Sequence, residues 1–317
     1  MAIVTNTFLT FSAKGIREDL TDIIYNISPT QTPFMSSAGK TKALQTFHEW
    51  QTDSLAAAQT NNAQLQGDDV STFDPATATT RLGNYTQILR KTVVISDTLD
   101  VVKKAGRNSE VSYQVAKKLK ELKRDMEATL LNNQQRSAGS STSAPQLAGI
   151  ESWIVTNSSV GAGGSNPAAA DGTGLRTDGT QRAFTEALLK TVAGSSFDNS
   201  GDEPELLMLG RFNKQVASTF VGNATRMNEA DTGKLFASVD IYEYDFGSLK
   251  VVPNRFMRSR SAIIVNSDLW AVAFLRPVKI DDLAKTGDAE KKMIVTEMSL
   301  ESRNEAGSGI IADLLTS

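Results

Sequence analysis

The chain has 317 residues, and its 33 basic and 36 acidic side chains nearly cancel, so no global field is available to recruit nucleic acid or an anionic membrane. It has no cysteine and one histidine, which excludes disulfides, thiolate nucleophiles, thiolate-bound metals and multi-histidine centres. Its length exceeds the roughly 250–300 residues at which a single hydrophobic core stops growing, which predicts two subdomains.

The start, MAIVTNTFLTFSAKG, lacks the basic region and apolar run of a signal peptide, and no apolar window is long enough to span a bilayer. A soluble chain made in a cytoplasm, with no membrane partner, is the expectation. Residues 1–44 read as an arm with a short helix at 16–25, and Pro29 and Pro33 are expected to stop any helix around them. SAGKT at 37–41 reads as a turn, because Phe34 stands where a phosphate loop needs its first glycine. Strand signals at 41–50 and 85–95 (YTQILRKTVVI) predict a long hairpin with a polar excursion at its far end. Between Asp53 and Thr80 the only sizeable apolar residues are Leu55, Leu65, Val70 and Phe73, too few for a core.

The strongest helix signal is at 109–133, where Val111, Val115, Leu119, Leu122, Met126 and Leu130 recur at steps of three and four. Asn108 or Ser109 is the expected cap, and the charges on its other side are mixed in sign, which reads as a solvated or salt-bridging face. A Gly- and Ser-rich stretch follows, interrupted by an apolar island at 150–155 that reads as a strand. Next come a helix at 181–192, a strand at 205–209, a helix at 211–221, and strands near 241–246, 249–252, 262–265 and 271–275. This mixed order predicts an α+β or α/β core. The last strand-like segments, KKMIVTEMSLESRNEAG and SGIIADLLT, are expected to return to the helix at 109–133.

Chemistry is hard to assemble from these residues. His48 has no serine nucleophile motif to serve, and GAGG at 161–164 lacks the last glycine of a dinucleotide fingerprint and reads as a flexible loop. Asp198, Asp202, Glu203 and Glu205 do not follow a calcium-loop order and read as a solvated acidic loop. No cofactor, metal, small-molecule substrate or catalytic residue is expected, and the chain does not read as an enzyme. The arm from Thr41 to Asp53 would reach on the order of 40 Å at ~3.3 Å per residue, twice the radius of gyration of a domain of this size. A lone two-stranded ribbon is marginal in water. It should therefore be held by a neighbouring molecule, with Phe47, Trp50, Leu55, Phe73, Tyr85, Ile88 and Leu89 as candidate contacts.

This order of parts resembles the major capsid (major head) proteins of tailed bacteriophages with the Hong Kong 97 type fold. ISPTQTPFMSSAGKTKALQTFHEWQTDSL, AGRNSEVSYQVAKKLKELKRDMEATLLNN and LAGIESWI are the stretches that carry the likeness. The resemblance implies an α+β fold divided into an N-terminal arm (1–44), an extended β-hairpin loop (45–95), a peripheral domain with a spine helix at 109–133 (96–144 and 286–317) and an axial domain (145–285). It implies an icosahedral virion shell of hexamers and pentamers, made in the host bacterial cytoplasm, with the extended loop lying over an adjacent subunit. Implied partners are other copies of the chain, separate scaffold and portal proteins, a cementing protein, and packaged double-stranded DNA held by weak non-specific contact. Two other readings remain open on the residues alone: an encapsulin-like nanocompartment shell, and another structural component of a virion.

Only about 40 residues precede the extended loop, too few for the scaffolding segment that some family members carry, so a separate scaffold protein is implied, or none. Some members also cross-link through a lysine in that loop, yet between Lys42 and Lys91 this sequence has none. The shell is therefore expected to hold without covalent links, through many modest contacts acting together or through a separate cementing protein. Denaturing gels of mature particles should show one band near 34.1 kDa, and a ladder of covalent oligomers would refute this.

Overall fold

The apolar positions expected on one helical face do line the inner side of a helix, Glu110–Leu130, in a computed structural model of the chain. The structure describes residues 32–67, 69, 73–103, 106, 109–200, 203–220, 241–244 and 247–317. The expected arm helix at 16–25 lies outside the described residues. In chain order the elements are α1 (Pro33–Ser37), β1 (Gly39–Lys42), β2 (Phe47–Thr52), β3 (Thr80–Tyr85), β4 (Gln87–Ser96), α2 (Asp97–Val101) and α3 (Glu110–Leu130). They continue with β5 (Ser158–Ser159), α4 (Glu186–Ser200), β6 (Leu206–Leu209), α5 (Arg211–Ala217), β7 (Ile241–Tyr244), β8 (Gly247–Pro253), β9 (Ala262–Val265), β10 (Trp270–Asp282), β11 (Ala289–Ser302) and β12 (Gly309–Ile311).

Among the described residues three sheets form. One has the order β1-β10-β11-β4, another β5-β12-β9-β6-β8-β7, and the third pairs β2 with β3. Helix α3 lies on the four-stranded sheet: Leu122, Met126 and Leu130 join Ile294, Met298 and Leu300, while Val111 packs with Val93 and Ile95. Ser109 caps it, its hydroxyl accepting from the Ser112 N–H, and Glu110 occupies the first turn where the helix dipole favours negative charge.

The central strands β6 and β9 of the six-stranded sheet are buried on both faces, and the period of two along them sorts the side chains. Leu206, Met208, Ile263 and Val265 face the core that also holds α3 and β11. Leu207, Leu209, Ala262 and Ile264 face Leu189, Val192 and Ala193 of α4. Two principal core clusters form, and the larger runs across the junction between the two large sheets.

Several expectations are revised. The hairpin is shorter than predicted: β2 and β3 pair from Phe47↔Tyr85 to Thr52↔Thr80, β1 runs parallel to β10, and β4 pairs with β11. Residues 39–42 are therefore strand rather than turn, and Pro33 begins α1 at a position where its missing N–H costs nothing. The island at 150–155 is a 3₁₀ turn, Ile150–Ser152; Ile150, Trp153 and Ile154, at helical spacing, are fully buried. The expected helix at 181–192 starts and ends later, at Glu186–Ser200, and the one expected at 211–221 is seen as Arg211–Ala217. Of the two C-terminal segments, β11 does reach α3, but β12 joins the six-stranded sheet beside β9 and β5.

One carboxylate ties three of these parts together. Glu127 of α3, fully buried, accepts from the backbone N–H groups of Phe34 and Met35, each at 2.9 Å, and from Asn254 Nδ2 at 2.7 Å. Since Thr32 offers no side-chain cap to α1, Glu127 satisfies the orphan donors of that helix from across the core. Burial pushes the Glu127 carboxyl up from its ordinary range, and the bonds from Met35, Phe34 and Asn254 oppose that shift without cancelling it. Glu127→Ala removes the carboxylate acceptor from the Phe34 and Met35 N–H groups and from Asn254 Nδ2 and is expected to lower the unfolding free energy by about 3 kcal/mol. Glu127→Gln, which keeps an acceptor oxygen, should cost less; denaturant unfolding of the two variants checks the order.

Candidate assembly surface

The β2–β3 ribbon is fastened to its own subunit at the base. Trp50 packs beside Trp153, ring centroids 5.5 Å apart, and its indole N–H donates to the Ser302 carbonyl at 2.7 Å. Asn84, fully buried, donates to the carbonyl of Leu300 at 2.9 Å and accepts from the Ala148 N–H at 2.8 Å. Phe47 lies 4.6 Å from the Tyr85 ring and under the Arg136 guanidinium, which also donates to the Gly83 carbonyl. The Phe47 ring crosses β3 at Gly83, where any Cβ would strike it at 2.8 Å, so only glycine permits the approach. The anchors that the sequence suggests for a neighbour, Phe47, Trp50 and Tyr85, thus make contacts within the subunit.

A charged cluster reinforces this base. Glu301 accepts from Thr41 Oγ1 at 3.0 Å and from Arg303 Nε at 3.0 Å, and its Oε2 lies 3.2 Å from His48 Nε2. Burial alone would push the Glu301 carboxyl up, but hydrogen bonds from His48, Arg303 and Thr41 outweigh it and bring it down to about 2. The single histidine therefore ties β2 to β11. Thr86 Oγ1 adds a bond to Glu297 at 2.7 Å, and Ser299 Oγ donates to the Tyr85 carbonyl at 3.1 Å.

Beyond Thr52 and before Thr80 the described residues form no strand or helix. Leu55 is 99% exposed, Phe73 84% and Leu65 81%, while Ile88, on β4, is 47% exposed. Of the candidate contacts, Leu55, Phe73 and Ile88 lie outward, and Leu89 is partly buried against the main core. At the far end of the four-stranded sheet, Val278, Ile280 and Leu283 also stand partly exposed. An open groove of about 950 Å³ runs beside the hairpin base, lined by Trp50, Leu55, Leu82, Asn199, Arg303 and Asn304.

The loop with GAGG, expected to be flexible, is pinned. Asp313, at φ 60°, accepts from the N–H groups of Gly161 and Gly179 at 2.9 and 2.8 Å and from Arg260 at 2.7 Å. Burial pushes the Asp313 carboxyl up, and bonds from Gly161, Gly179 and Arg260 outweigh that and hold it below its ordinary range. A Cβ at Gly161 would collide with the Thr180 carbonyl, which explains the glycine. Among the described residues no group of three or more His, Asp or Glu side chains gathers to hold a metal, and no helix is long and apolar enough to cross a membrane. Sequence reasoning missed Asn84, Glu127, Glu301 and Asp313; Glu127, one step from the apolar face position Met126, was the one with a readable signal.

A family model described as SU10 major capsid protein matches residues 3–315. The chain belongs to the SU10 major capsid protein family. A curated relative of this SU10-family chain, the major capsid protein of Escherichia phage Phieco32, is 29% identical over 343 residues, covering 96% of each protein. Among solved structures, the cyanophage A-1(L) capsid asymmetric unit matches with TM-score 0.64 at 13% identity, covering 97% of this chain and 98% of that one. A chain of Gordonia phage Cozz matches with TM-score 0.61 at 11% identity, covering 95% and 92%. The SU10-family chain therefore has the α+β Hong Kong 97 capsid fold, and it is a major capsid protein that forms the shell of a tailed phage.

The Glu301 cluster makes stability of this base pH-dependent. A folded pKa below the ordinary 4.5 means that the carboxylate stabilises the fold fully above that pH and progressively less as pH falls toward 2. Urea unfolding of unassembled Glu301→Gln should show a loss of about 2 kcal/mol at neutral pH. The gap from wild type should close between pH 4.5 and about 2, and a gap that stays constant would refute the linkage.

Proposed function

We propose that this major capsid protein closes its shell without covalent cross-links, with the excursion at 53–79 of each subunit laid on an adjacent one. The observation that carries this reading is the contrast along the hairpin: a base fixed by Asn84, Trp50 and Glu301, and a far end whose Leu55, Leu65 and Phe73 stand in solvent. Exposed apolar side chains on a firmly held projection are what an intermolecular contact needs. Leu55, Phe73 and Ile88 then touch the neighbour, while Phe47, Trp50 and Tyr85 aim the projection.

In the same reading residues 1–44 are the arm, 45–95 the extended loop, 96–144 and 286–317 the peripheral domain, and 145–285 the axial domain of a capsomer. Shells are built from hexamers and pentamers, with separate scaffold, portal and cementing proteins, after synthesis in the host cytoplasm. Packaged DNA is held by weak non-specific contact, in keeping with the near-balance of charge, and no catalysis is assigned.

Replacing residues 54–79 by a short Gly-Ser turn removes no side chain of the two principal core clusters. Thermal unfolding of that variant should match wild type, while negative-stain microscopy, with each chain co-expressed with the scaffold protein, should show closed shells from wild type and none from the variant. Normal shells would refute the assigned role of the excursion.

A further inference from the structure

The β2–β3 ribbon is gripped on both of its faces. Its register places Phe47, Glu49 and Gln51 with Tyr85, Gly83 and Arg81 on one side, and His48, Trp50 and Thr52 with Asn84, Leu82 and Thr80 on the other. The second side lies against the body, where Trp50, Leu82 and Asn84 are held. On the first side lies Arg136, from the loop that follows α3. Its guanidinium carbon sits 5.4 Å from the Phe47 ring centroid, and its Nη1 donates to the Gly83 carbonyl.

The Arg136 backbone is anchored in turn. Its N–H donates to the Gly172 carbonyl at 2.8 Å, and Gly172, at φ 75°, packs so closely on Ala148 and Trp153 that a Cβ would lie 2.8 and 2.9 Å from them. Both of those residues are fully buried, and the Ala148 N–H is also the donor to Asn84. The two braces of the ribbon, at adjacent residues Gly83 and Asn84, therefore lead to the same piece of core. Arg136 is in no ion pair among the described residues, and the Asp171 carboxylate nearby accepts instead from the Thr173 N–H and hydroxyl at 2.9 and 2.6 Å. A carbonyl and an aromatic face accept a cation over a narrow range of orientations, and the planar guanidinium meets both at once.

The ribbon leaves the four-stranded sheet where β3 passes into β4, and there the Thr86 N–H donates to the Thr46 carbonyl at 2.8 Å. Phe47 to Thr52 spans about 17 Å, so a rotation of about 10° at this base moves the start of the excursion by about 3 Å. Interfaces packed like protein interiors do not absorb such a shift. We propose that Arg136 is the positioning residue that fixes the pitch of the ribbon, and through it the angle between adjacent subunits and the diameter at which the shell closes. This rests on the shell reading above and names the group within each subunit that sets its curvature. Head-to-tail contacts close only at the rotation they impose, so a loose pitch spreads the shells over many diameters.

The chain has no cysteine, so paired spin labels can be placed at chosen sites. Labels at Gln51→Cys on the ribbon and Lys120→Cys on α3, both exposed, read the pitch of the unassembled full chain by pulsed electron resonance. With Arg136 in place the distance distribution should be single and narrow. Arg136→Ala and Phe47→Leu should widen it about twofold, and Arg136→Lys nearly as much, since an ammonium lacks the planar fork. Circular dichroism melts of these variants should stay near wild type, because neither residue belongs to a core cluster. Co-expressed with the scaffold protein, the unlabelled Arg136→Ala chain should still close shells, with the fraction at the wild-type diameter cut about tenfold. An unchanged distance distribution in Arg136→Ala would overturn the brace. A widened distribution with shells of one wild-type diameter would overturn its role in curvature, as would a lowered melting temperature with that same single diameter. Failure of the wild-type chain to form shells beside the scaffold protein would refute the shell reading instead, while the label distances still decide the brace.

Discussion

The pairing of β11 with β10 on one edge and β4 on the other is what the rest of the molecule depends on. Its inward side chains Ile294, Met298 and Leu300 are the floor on which α3 lies, so the long helix has a position only because this strand does. The ribbon formed by β2 and β3 hangs from the same strand, through the Leu300 and Ser302 carbonyls and the carboxylates of Glu297 and Glu301. Sheet, helix and projecting arm share one continuous backbone reference. An isolated two-stranded ribbon is marginal in water, and here it acquires a third partner in its own chain.

Polar groups are placed with a different logic in the body and on the projection. In the body, buried charges have partners: Glu127 at the α1 junction, Asp313 among Gly161, Gly179 and Arg260, and Glu151, whose Oε2 accepts from Arg258 at 2.8 Å. Each closes a loop or helix end that packing alone would leave underdetermined, since buried polar groups must find partners somewhere. By contrast, Asp53, Asp69 and Asp74 of the excursion and Lys117, Lys120 and Lys123 of α3 are exposed and outside any ion pair among the described residues.

The local signals in the sequence were the reliable ones. The six apolar positions of α3, the Ser109 cap and the Val- and Ile-rich strands all follow from near neighbours in the chain, and the family likeness added their order. What stayed hidden was set at long range. Asn84 meets Leu300 across 216 residues, so nothing near FHEWQ or TRLGNY told where the ribbon would end or what would hold it. GAGG looked loose because the carboxylate that orders it is Asp313, near the other end of the chain. The island at 150–155 was misread as strand although Ile150, Trp153 and Ile154 follow helical spacing, a period masked by its brevity. Of the candidate contacts, exposure separated Leu55, Phe73 and Ile88 from Phe47, Trp50 and Tyr85, a distinction that side-chain chemistry alone does not encode.

The ribbon grips β11 at residues 300 and 302 by main-chain oxygens. A carbonyl is supplied by every amino acid, so the grip survives any substitution there that keeps the strand. Mutational drift at these two positions is thereby uncoupled from the direction in which the arm points. The side chains of Glu297 and Glu301 on the same strand carry the remaining attachments, so a shell lineage can vary positions 300 and 302 within what the core accepts, while 297 and 301 stay tied to the direction of the arm.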